Sequence, residues 1–499
     1  MNVVVIGARI LDVLTTGMYP DALDAIREYV QNSFDAIRRA ERAGILQPNH
    51  GDVTVTINTQ KRELSVRDNG IGIPSDEAQT TLLSLGASKK RVGEDAGFRG
   101  IGRLAGLAYC EKLIFSTASK DEPLSTELEF DGIEIRKAIS ASMTTNETAS
   151  ELLMRATKFR RHERTPGMPF FEVKLIGINP KVCPFLDAQC VKSYLRQVAP
   201  VEFQMQAFVY ARSHVNPFLE KHGVRRTINL TMVADGRHEQ IQKPYKTHHP
   251  VGIKGASADV HDIETVVDTC DPPKWIAWLS VAKDLSGVIN SDEVRGIRLR
   301  CKNILVGNYN TFSTVFEKVG KSHARFNGYF SGEIHILDTA IVPNARRDNF
   351  EDGEAWREAE KTLIEWADRL KQRAYKDSRD RNRAIDNIVN RTEKAIEDVD
   401  AEFAHGFATD ELRQKAAESM REQEEILEKR REEAAARRAK LQEGPRSLID
   451  ESTLNKGERK VLRMVMDVVL KVCGDEAARK TAAEVNKRLK RSSTPPKNQ

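Results

Sequence analysis

Three short segments near the start of the sequence constrain its fold and chemistry more than any other feature. Each pattern is weak by itself. In this order they offer a carboxylate to activate water, an amide oxygen for a metal ion, an acceptor for a base, and bare backbone for phosphates. We interpret them as parts of one nucleotide pocket. The segments are Glu28-Tyr-Val-Gln-Asn32-Ser-Phe-Asp35-Ala36, Asp68-Asn-Gly70-Ile-Gly72 and Gly97-Phe-Arg-Gly100-Ile-Gly102.

The first segment is predicted to lie on an amphipathic helix. Glu28, Asn32 and Asp35 follow one another at i, i+4 and i+7, so they share one helix face. The ordinary explanation is a solvated polar face. The functional one is a glutamate that activates water one turn from an asparagine that coordinates Mg²⁺. The apolar stripe on the other side is Leu23, Ile26, Val30, Phe34 and Ile37.

The second segment ends a predicted β-hairpin, with strands at 52–58 and 63–67. Asp68 follows the second strand and could accept a hydrogen bond from the exocyclic amine of adenine. An ordinary Asp-Asn-Gly turn is the alternative.

The third segment precedes a predicted helix at 103–109, whose first N–H groups would favour phosphate. Because the glycines follow no predicted strand, the dinucleotide-binding interpretation of this pattern fails. No Walker A sequence occurs, so a P-loop enzyme is excluded.

Together the segments resemble the motifs of the GHKL ATPase superfamily, which includes gyrase B subunits, ninety-kilodalton heat-shock chaperones, sensor histidine kinases and MutL proteins. The resemblance implies a Bergerat-type α/β sandwich that binds ATP with Mg²⁺. It makes Glu28 the general base, Asn32 the Mg²⁺ ligand and Asp68 the adenine contact. The other positions that it places at the nucleotide are Asp35, Gly70, Gly72, Ser88, Lys89, Gly97, Phe98, Arg99, Gly100, Ile101 and Gly102.

Two further features follow from the resemblance. The stretch 86–90 is similar to the lid segment of the family, and 97–100 is similar to MutL's glycine motif. The family usually holds adenine with a threonine on a late strand as well. The late strand predicted here is 170–176, and Thr165 before it is the candidate.

A second piece of chemistry is predicted further along, where a strand at 333–337 is followed by the loop 341–350. This loop resembles the one in the chaperone's middle domain that supplies an arginine to the γ-phosphate. Arg347 is the counterpart and Arg346 the fallback. A guanidinium offers fixed donors to phosphoryl oxygens. The alternative is a surface pair that bonds to Asp348 or to helix ends.

The chain is predicted to divide into four parts, of α/β class with a helical C-terminal region. Residues 1–200 would form the ATP domain, with a loop at 142–148, and residues 201–352 a middle domain with strands at 227–233 and 297–302. Residues 353–445 are dense in Glu, Arg, Lys and Ala and predict long helices, with a coiled coil as one option. They begin with an apolar stripe, Trp356, Leu363, Trp366 and Leu370. Residues 446–499 predict a small basic module whose buried side is Val461, Leu462, Val465, Val468, Val469 and Val472.

Composition and charge limit the kinds of partner that the protein is expected to have. No apolar run approaches the roughly 20 residues of a membrane helix. The sequence begins without a basic signal-peptide region, and its six cysteines show no C-x-x-C spacing, so we expect a cytoplasmic protein. The net charge of +5 is too small to argue for nucleic acid. Residues 451–499, however, hold 12 Lys or Arg against 6 Asp or Glu. That end could touch nucleic acid, or it could be a solvated helical face.

The predicted function is therefore an ATP-gated clamp, chaperone-like and homodimeric, that acts on a protein client or operon partner. The alternative is a DNA-associated clamp similar to MutL, microrchidia ATPases or the B subunit of archaeal-type topoisomerase. A histidine kinase is disfavoured, because no helical histidine region precedes the ATP domain and Arg347 lies downstream of it.

Overall fold

The computed structural model describes residues 6–19, 21–84, 86, 95–97, 100, 102–141, 147–181, 183–251, 257–282, 288–407 and 409–442, together with 462, 465, 466, 481, 482, 484 and 485. The chain forms two compact units, Met1–Asp377 and Ser378–Gln499. Each unit is described by itself. Of the segments predicted above, the stretch 87–90 and most of the loop 142–148 lie outside the described residues.

The first unit begins with a mixed sheet, and some of its strands alternate buried residues with more exposed ones. Helices pack against one face of this sheet and enclose its largest apolar cluster. The strands are β1 Asp52–Asn58, β2 Glu63–Asp68, β3 Lys112–Ala118, β4 Leu124–Asp131, β5 Thr157–Glu163, β6 Phe170–Ile176, β7 Asn229–Ala234 and β8 Arg237–Gln240. The α-helices are α1 Ile10–Asp12, α2 Leu23–Arg42, α3 Ala78–Leu83, α4 Gly132–Ala141, α5 Ala149–Arg155, α6 Ala188–Val198 and α7 Asn216–Lys221. Two π-helical turns cover Val13–Gly17 and Ala211–Val215.

The strand order in this sheet is β5-β4-β3-β6-β2-β1-β7-β8. The predicted hairpin is present, with Val55 of β1 opposite Val66 of β2. The predicted late strand, β6, lies between β3 and β2 in the middle of the sheet. The mixed α/β class is therefore confirmed.

Strand β7 corrects the predicted boundary at residue 200. Its sequence was expected to form a strand of the second domain, but it pairs in parallel with β1, with Val55 opposite Met232. The first sheet therefore extends past residue 200. Alternation along a strand predicts that the strand exists, but not which strand it pairs with.

The helix predicted at 103–109 also differs in kind, because it is a 3-10 helix over Gly102–Ala108. The N–H of Gly106 donates to the Tyr29 hydroxyl of α2 at 2.8 Å. A Cβ at Gly106 would lie 2.4 Å from that hydroxyl, so the short helix lies directly against α2.

A second sheet follows in the same unit, in the order β13-β12-β14-β11-β10-β9. Its strands are β9 His248–Pro250, β10 Ser257–Val267, β11 Trp275–Ala282, β12 Gly296–Cys301, β13 Ile304–Val306 and β14 Ser331–Ile336. The helix α8 Ser313–Val319 and a 3-10 helix at Lys321–Tyr329 lie between β13 and β14. The strands predicted at 297–302 and 333–337 are thus both present.

A buried charge network anchors this second sheet to the segment that follows β8. Glu333 is fully buried beside Arg300, and Lys243 Nζ donates to its carboxylate at 2.8 Å. Asn303 accepts a hydrogen bond from the same Nζ at 2.9 Å and donates to the carbonyl oxygen of Arg226 at 2.8 Å. These bonds hold the turn between β12 and β13 in place.

The helical C-terminal region is confirmed as two long helices, α9 Glu354–His405 and α10 Asp410–Gln442, on either side of Gly406. Within the first unit, the stripe Trp356, Leu363, Trp366 and Leu370 is buried. Within the second unit, Arg431 of α10 pairs with Glu393 of α9 at 2.7 Å.

The predicted buried side of the last module is wrong at one position. Val465 is 47% exposed, while its neighbour Met466 is buried in one cluster with Ala482. Leu462 is partly buried as expected, and Val461, Val468, Val469 and Val472 lie outside the described residues. Within the described part of the chain, every helix is too short or too polar to cross a membrane.

Candidate active site

A cavity of about 970 Å³ lies beside α2 in the first unit, and all three sequence segments contribute to its wall. Asp35, Gly70 and Arg346 are described but do not line it. Ser88, Lys89, Phe98, Arg99 and Ile101 lie outside the described residues. The predicted site residues that do line it are Glu28, Asn32, Asp68, Gly72, Gly97, Gly100, Gly102 and Arg347.

The polar face of α2 is enclosed rather than solvated. Glu28 is 9% exposed, Asp35 is 2% exposed and Gln31, between them, is 1% exposed. The ordinary explanation of the sequence pattern, a solvated face, is therefore wrong. Burying a charge is costly unless partners compensate for it.

The glycine motif packs directly on this polar face. A Cβ at Gly102 would lie 2.3 Å from Oε2 of Glu28. A Cβ at Gly97 would lie 2.2 Å from Nε2 of Gln31 and 3.6 Å from Oδ1 of Asn32. Only glycine allows the backbone to approach the helix so closely. The motif therefore brings bare backbone together with the carboxylate and amide groups of α2.

Asp35 holds the start of the glycine motif. Its Oδ1 accepts a hydrogen bond from the N–H of Ala96 at 2.7 Å, and its Oδ2 accepts one from Gly97 at 3.0 Å. The sequence placed Asp35 at the nucleotide. In the structure its carboxylate supports the backbone that forms the wall, and its contact with a nucleotide stays a prediction.

The same short stretch is held from the second sheet. Lys302, in the turn between β12 and β13, donates from Nζ to the carbonyl oxygen of Asp95 at 2.7 Å. Arg347 donates from Nη2 to the carbonyl oxygen of Ala96. Two cations of the second sheet region thus contact the backbone that leads into the glycine motif.

Arg347, rather than Arg346, reaches the cavity. Its side chain is buried, its backbone has a left-handed φ of +56°, and its Nε lies 3.9 Å from Oε1 of Glu28. Its Nη1 has no hydrogen-bond partner among the described residues. Burial lowers the pKa of Arg347 from its ordinary value, and the Glu28 carboxylate acts in the opposite direction. Arg346 is exposed, and its carbonyl oxygen accepts a hydrogen bond from Arg27.

Glu28 has two other polar neighbours. Arg27 Nε also lies 3.9 Å from Oε1 of Glu28, and its Nη1 pairs with Asp24 at 3.0 Å. Burial, followed by the charge of Glu28, raises the pKa of Tyr19 far above its usual range. The Tyr19 hydroxyl therefore stays protonated beside this carboxylate. Glu28 therefore lies between the guanidinium groups of Arg27 and Arg347 and beside the Tyr19 hydroxyl.

Comparison with known proteins agrees with this geometry. Residues 21–162 match the family described as "Histidine kinase-, DNA gyrase B-, and HSP90-like ATPase". The chain contains a GHKL-type ATPase domain. A segment of 87 residues is also 30% identical to the chaperone protein HtpG of Nitrobacter winogradskyi. That match covers 16% of this chain and 14% of the length of HtpG.

In the GHKL domain, Asp68 makes an aspartate turn and also faces the cavity. The carboxylate is 3% exposed, and its Oδ1 accepts the N–H of Gly70 at 2.9 Å. Gly72 has φ of +67°, and a Cβ there would lie 2.1 Å from the carbonyl oxygen of Ala118. The sequence analysis gave an ordinary Asp-Asn-Gly turn as the alternative to a pocket residue. In the structure Asp68 is both.

The apolar wall next to Asp68 comes from the sheet of the GHKL domain. Phe171 on β6 lies opposite Asp68 in the strand register, and Val173 and Phe115 also line the cavity. Thr165 is not among the described residues of the wall. The contact of Thr165 with adenine stays a prediction, and the side chains of β6 that line the wall are apolar.

The chemistry of the cavity suits a magnesium nucleotide. Its volume lies near the upper end of the ~300–1,000 Å³ typical of ligand sites. The polar groups around the glycine motif include amide and carboxylate oxygens, which are the hard ligands that Mg²⁺ prefers. Among the described residues, no three His, Cys, Asp or Glu side chains are grouped to hold a metal ion. Magnesium bound to a nucleotide commonly needs only one or two protein ligands.

The sequence analysis missed three residues of this site. Gln31 follows Glu28 at i+3, so the helical spacing that placed Asn32 on this face would also have placed Gln31 there. Tyr19 precedes α2 and carries no pattern that singles it out. Lys302 lies far along the chain, and only the packing of the second sheet brings it to Asp95.

Proposed function

We propose that this protein is a Mg²⁺-dependent ATP hydrolase of the GHKL type. The observation that carries the proposal is the cavity itself, where Glu28, Asn32 and Asp68 of the first sheet region meet Arg347 of the second. The match to the GHKL family supports it further.

Each of these residues would have a distinct role. The carboxylate of Asp68 would accept a hydrogen bond from the adenine amine. Asn32 Oδ1 would hold Mg²⁺, which supplies positive charge to the phosphate oxygens. Glu28 would accept a proton from the attacking water, and the guanidinium of Arg347 would donate to the charge that develops on the phosphoryl oxygens.

The second sheet makes hydrolysis dependent on conformation. Lys302, in the turn between β12 and β13, contacts the Asp95 carbonyl oxygen, and Arg347, in the loop after β14, contacts that of Ala96, directly before the glycine motif. A movement of the second sheet would therefore move the arginine and the glycine motif together. This coupling supports an ATP-gated, chaperone-like clamp that forms a homodimer around a protein client or operon partner. Residues 353–445 and 446–499 would supply a dimer contact or a docking site for that partner.

The test of the ATPase proposal is Glu28→Ala in the full chain. Calorimetry should show Mg-ATP binding close to that of the unaltered protein, while turnover falls by roughly 10² to 10⁴ because the general base is lost. The matched control is Glu41→Ala, which lies on the same helix but does not line the cavity and should leave turnover unchanged. Absence of ATP uptake by the folded protein, or unchanged turnover in Glu28→Ala, would contradict the proposal.

The basic end of the sequence supports a DNA-associated clamp as the second candidate, because residues 451–499 carry a net charge of +6, from 12 Lys or Arg against 6 Asp or Glu. The ATPase rate with and without duplex DNA, across a salt series, distinguishes the two. Stimulation that fades steeply with salt supports the DNA clamp, and indifference to DNA supports a protein client. Light scattering with a non-hydrolysable ATP analogue tests the dimer.

A further inference from the structure

The side-chain amide of Gln31 has an unusual environment. It is 1% exposed, it lines the cavity, and neither Oε1 nor Nε2 has a hydrogen-bond partner in the part of the chain that the structure describes. Buried amides are normally hydrogen-bonded, because an unpaired polar group loses its contacts with water and receives nothing in return. Gln31 therefore lowers the stability of the ligand-free protein.

The position of Gln31 explains what the amide is for. It lies one turn from Glu28 on α2 and next to Asn32, on the face that carries the proposed chemistry. Its Nε2 lies 2.2 Å from where a Cβ of Gly97 would be, so it reaches the backbone of the glycine motif. Both the donor and the acceptor of the amide are thus at the end of the cavity where the phosphates are expected.

We propose that Gln31 is a further substrate-contacting residue, whose amide nitrogen donates to the triphosphate and whose oxygen accepts a hydrogen bond from a water of the hydrated phosphates. This inference rests on the proposed ATP site and goes beyond the four residues assigned to it. An amide suits the task because it offers one donor group and one acceptor without adding charge beside Glu28. The unmet bonds of the ligand-free state would be made when the nucleotide binds.

The inference has a signature that a purely structural glutamine would not show. Replacing Gln31 by methionine keeps the length of the side chain and removes the unpaired amide. The ligand-free protein should then become more stable, whereas nucleotide binding should become weaker. A glutamine that only fills space would give no loss of affinity.

The experiment uses the full-length protein and the variant Gln31→Met. Differential scanning fluorimetry without nucleotide should show a melting temperature higher by about 2 °C. Calorimetry with Mg²⁺ and a non-hydrolysable ATP analogue should show binding weaker by about tenfold or more, the loss expected for a hydrogen bond to a charged group. Because both measurements are made without turnover, they do not depend on catalytic activity.

The matched control is Gln197→Met on α6. The amide of Gln197 is partnered, since it donates to the Ser193 carbonyl oxygen at 2.9 Å and accepts from Arg298 at 3.4 Å. It does not line the cavity. Gln197→Met should therefore lower the melting temperature and leave nucleotide affinity unchanged, the opposite of the result for Gln31→Met.

The outcomes separate this inference from the proposed function. If the unaltered protein takes up no nucleotide, the ATP site itself is wrong. If it binds nucleotide and Gln31→Met binds equally well, the role of Gln31 is wrong and the ATP site stands. Should Gln31→Met fail to fold, Gln31→Asn carries the test, because its amide is one methylene shorter. Wild-type affinity in folded Gln31→Asn would equally overturn the inference.

Discussion

The choice between two adjacent arginines can be tested by replacing each with methionine. Arg347 is buried in the cavity wall, and Arg346 beside it is exposed. The two residues share the same loop, the same charge and the same side-chain length. Arg346→Met is thus a closely matched control for Arg347→Met. We expect Arg347→Met to lose ATP turnover and Arg346→Met to retain it.

The size of the effect follows from the distances around Arg347. Its Nε lies 3.9 Å from a carboxylate oxygen of Glu28, and its Nη1 is a buried donor without a partner among the described residues. A phosphoryl oxygen at a comparable distance would gain about 4 kcal/mol at an effective dielectric constant of about 20. Since about 1.4 kcal/mol corresponds to tenfold in rate, removal of the guanidinium should lower kcat by about 10³. An arginine in phosphoryl transfer is worth roughly 10³ to 10⁵.

Affinity should change much less than turnover. In the ligand-free protein the guanidinium already contacts Glu28 and the carbonyl oxygen of Ala96. When ATP binds, the Arg347 guanidinium would exchange these contacts for a similar contact with a phosphate oxygen. The net gain in binding free energy is therefore small.

The assay is a coupled ATPase measurement that separates kcat from KM, with calorimetry for the Kd of Mg-ATP. Circular dichroism confirms that both variants are folded. The reasoning is refuted if Arg347→Met keeps kcat within about threefold of the unaltered protein, a change far below that expected for an arginine in phosphoryl transfer. It is also refuted if Arg346→Met loses as much activity, because the loop would then have a different register in the working state.

Two further predictions concern the adenine contact of Asp68 and the glycine motif. Asp68→Asn should weaken Mg-ATP binding by about 100-fold in calorimetry, because an amide donor would face the adenine amine, while the turn bond to Gly70 can be kept by Oδ1. It should lose less affinity for GTP, whose base carries an acceptor at that position; equal losses for both nucleotides would argue against the adenine contact. Gly102→Ala should lower kcat more than it raises Kd, because a Cβ 2.3 Å from Oε2 of Glu28 must displace that carboxylate. Wild-type turnover of Gly102→Ala in a steady-state assay would show that the function of Glu28 does not depend on a glycine at position 102.

Much of the first sheet region followed from local patterns. Helical spacing predicted α2 and its apolar stripe, and the hairpin pattern predicted β1 and β2. These patterns are reliable because side-chain direction repeats with the backbone, every 3.6 residues in a helix and every two in a strand. The 3-10 helix at Gly102–Ala108 was expected as an ordinary helix. Its Gly106 N–H donates to Tyr29 on another element, a contact that local spacing does not reveal.

The residues at the site also divide into those that short motifs identified and those whose contacts only the packing decided. Glu28, Asn32 and Asp68 were identified within short motifs, because each motif already carries the group and its spacing. Asp35 was placed in the same motif, yet its carboxylate holds Ala96 and Gly97 rather than facing the cavity. Spacing on a helix decides which face a side chain is on, but the packing of the next segment decides what it contacts.

By itself the sequence determined the helix, the hairpin, the glycine motif and the type of chemistry they offer, since all of these depend on residues a few positions apart. The tertiary structure decided that β7 completes the first sheet and that Arg347, not Arg346, reaches Glu28. It also decided that the amide of Gln31 is enclosed without a partner among the described residues. These outcomes depend on chain segments that meet only after folding, where burial and direct contact, rather than spacing along the chain, set the position of each side chain.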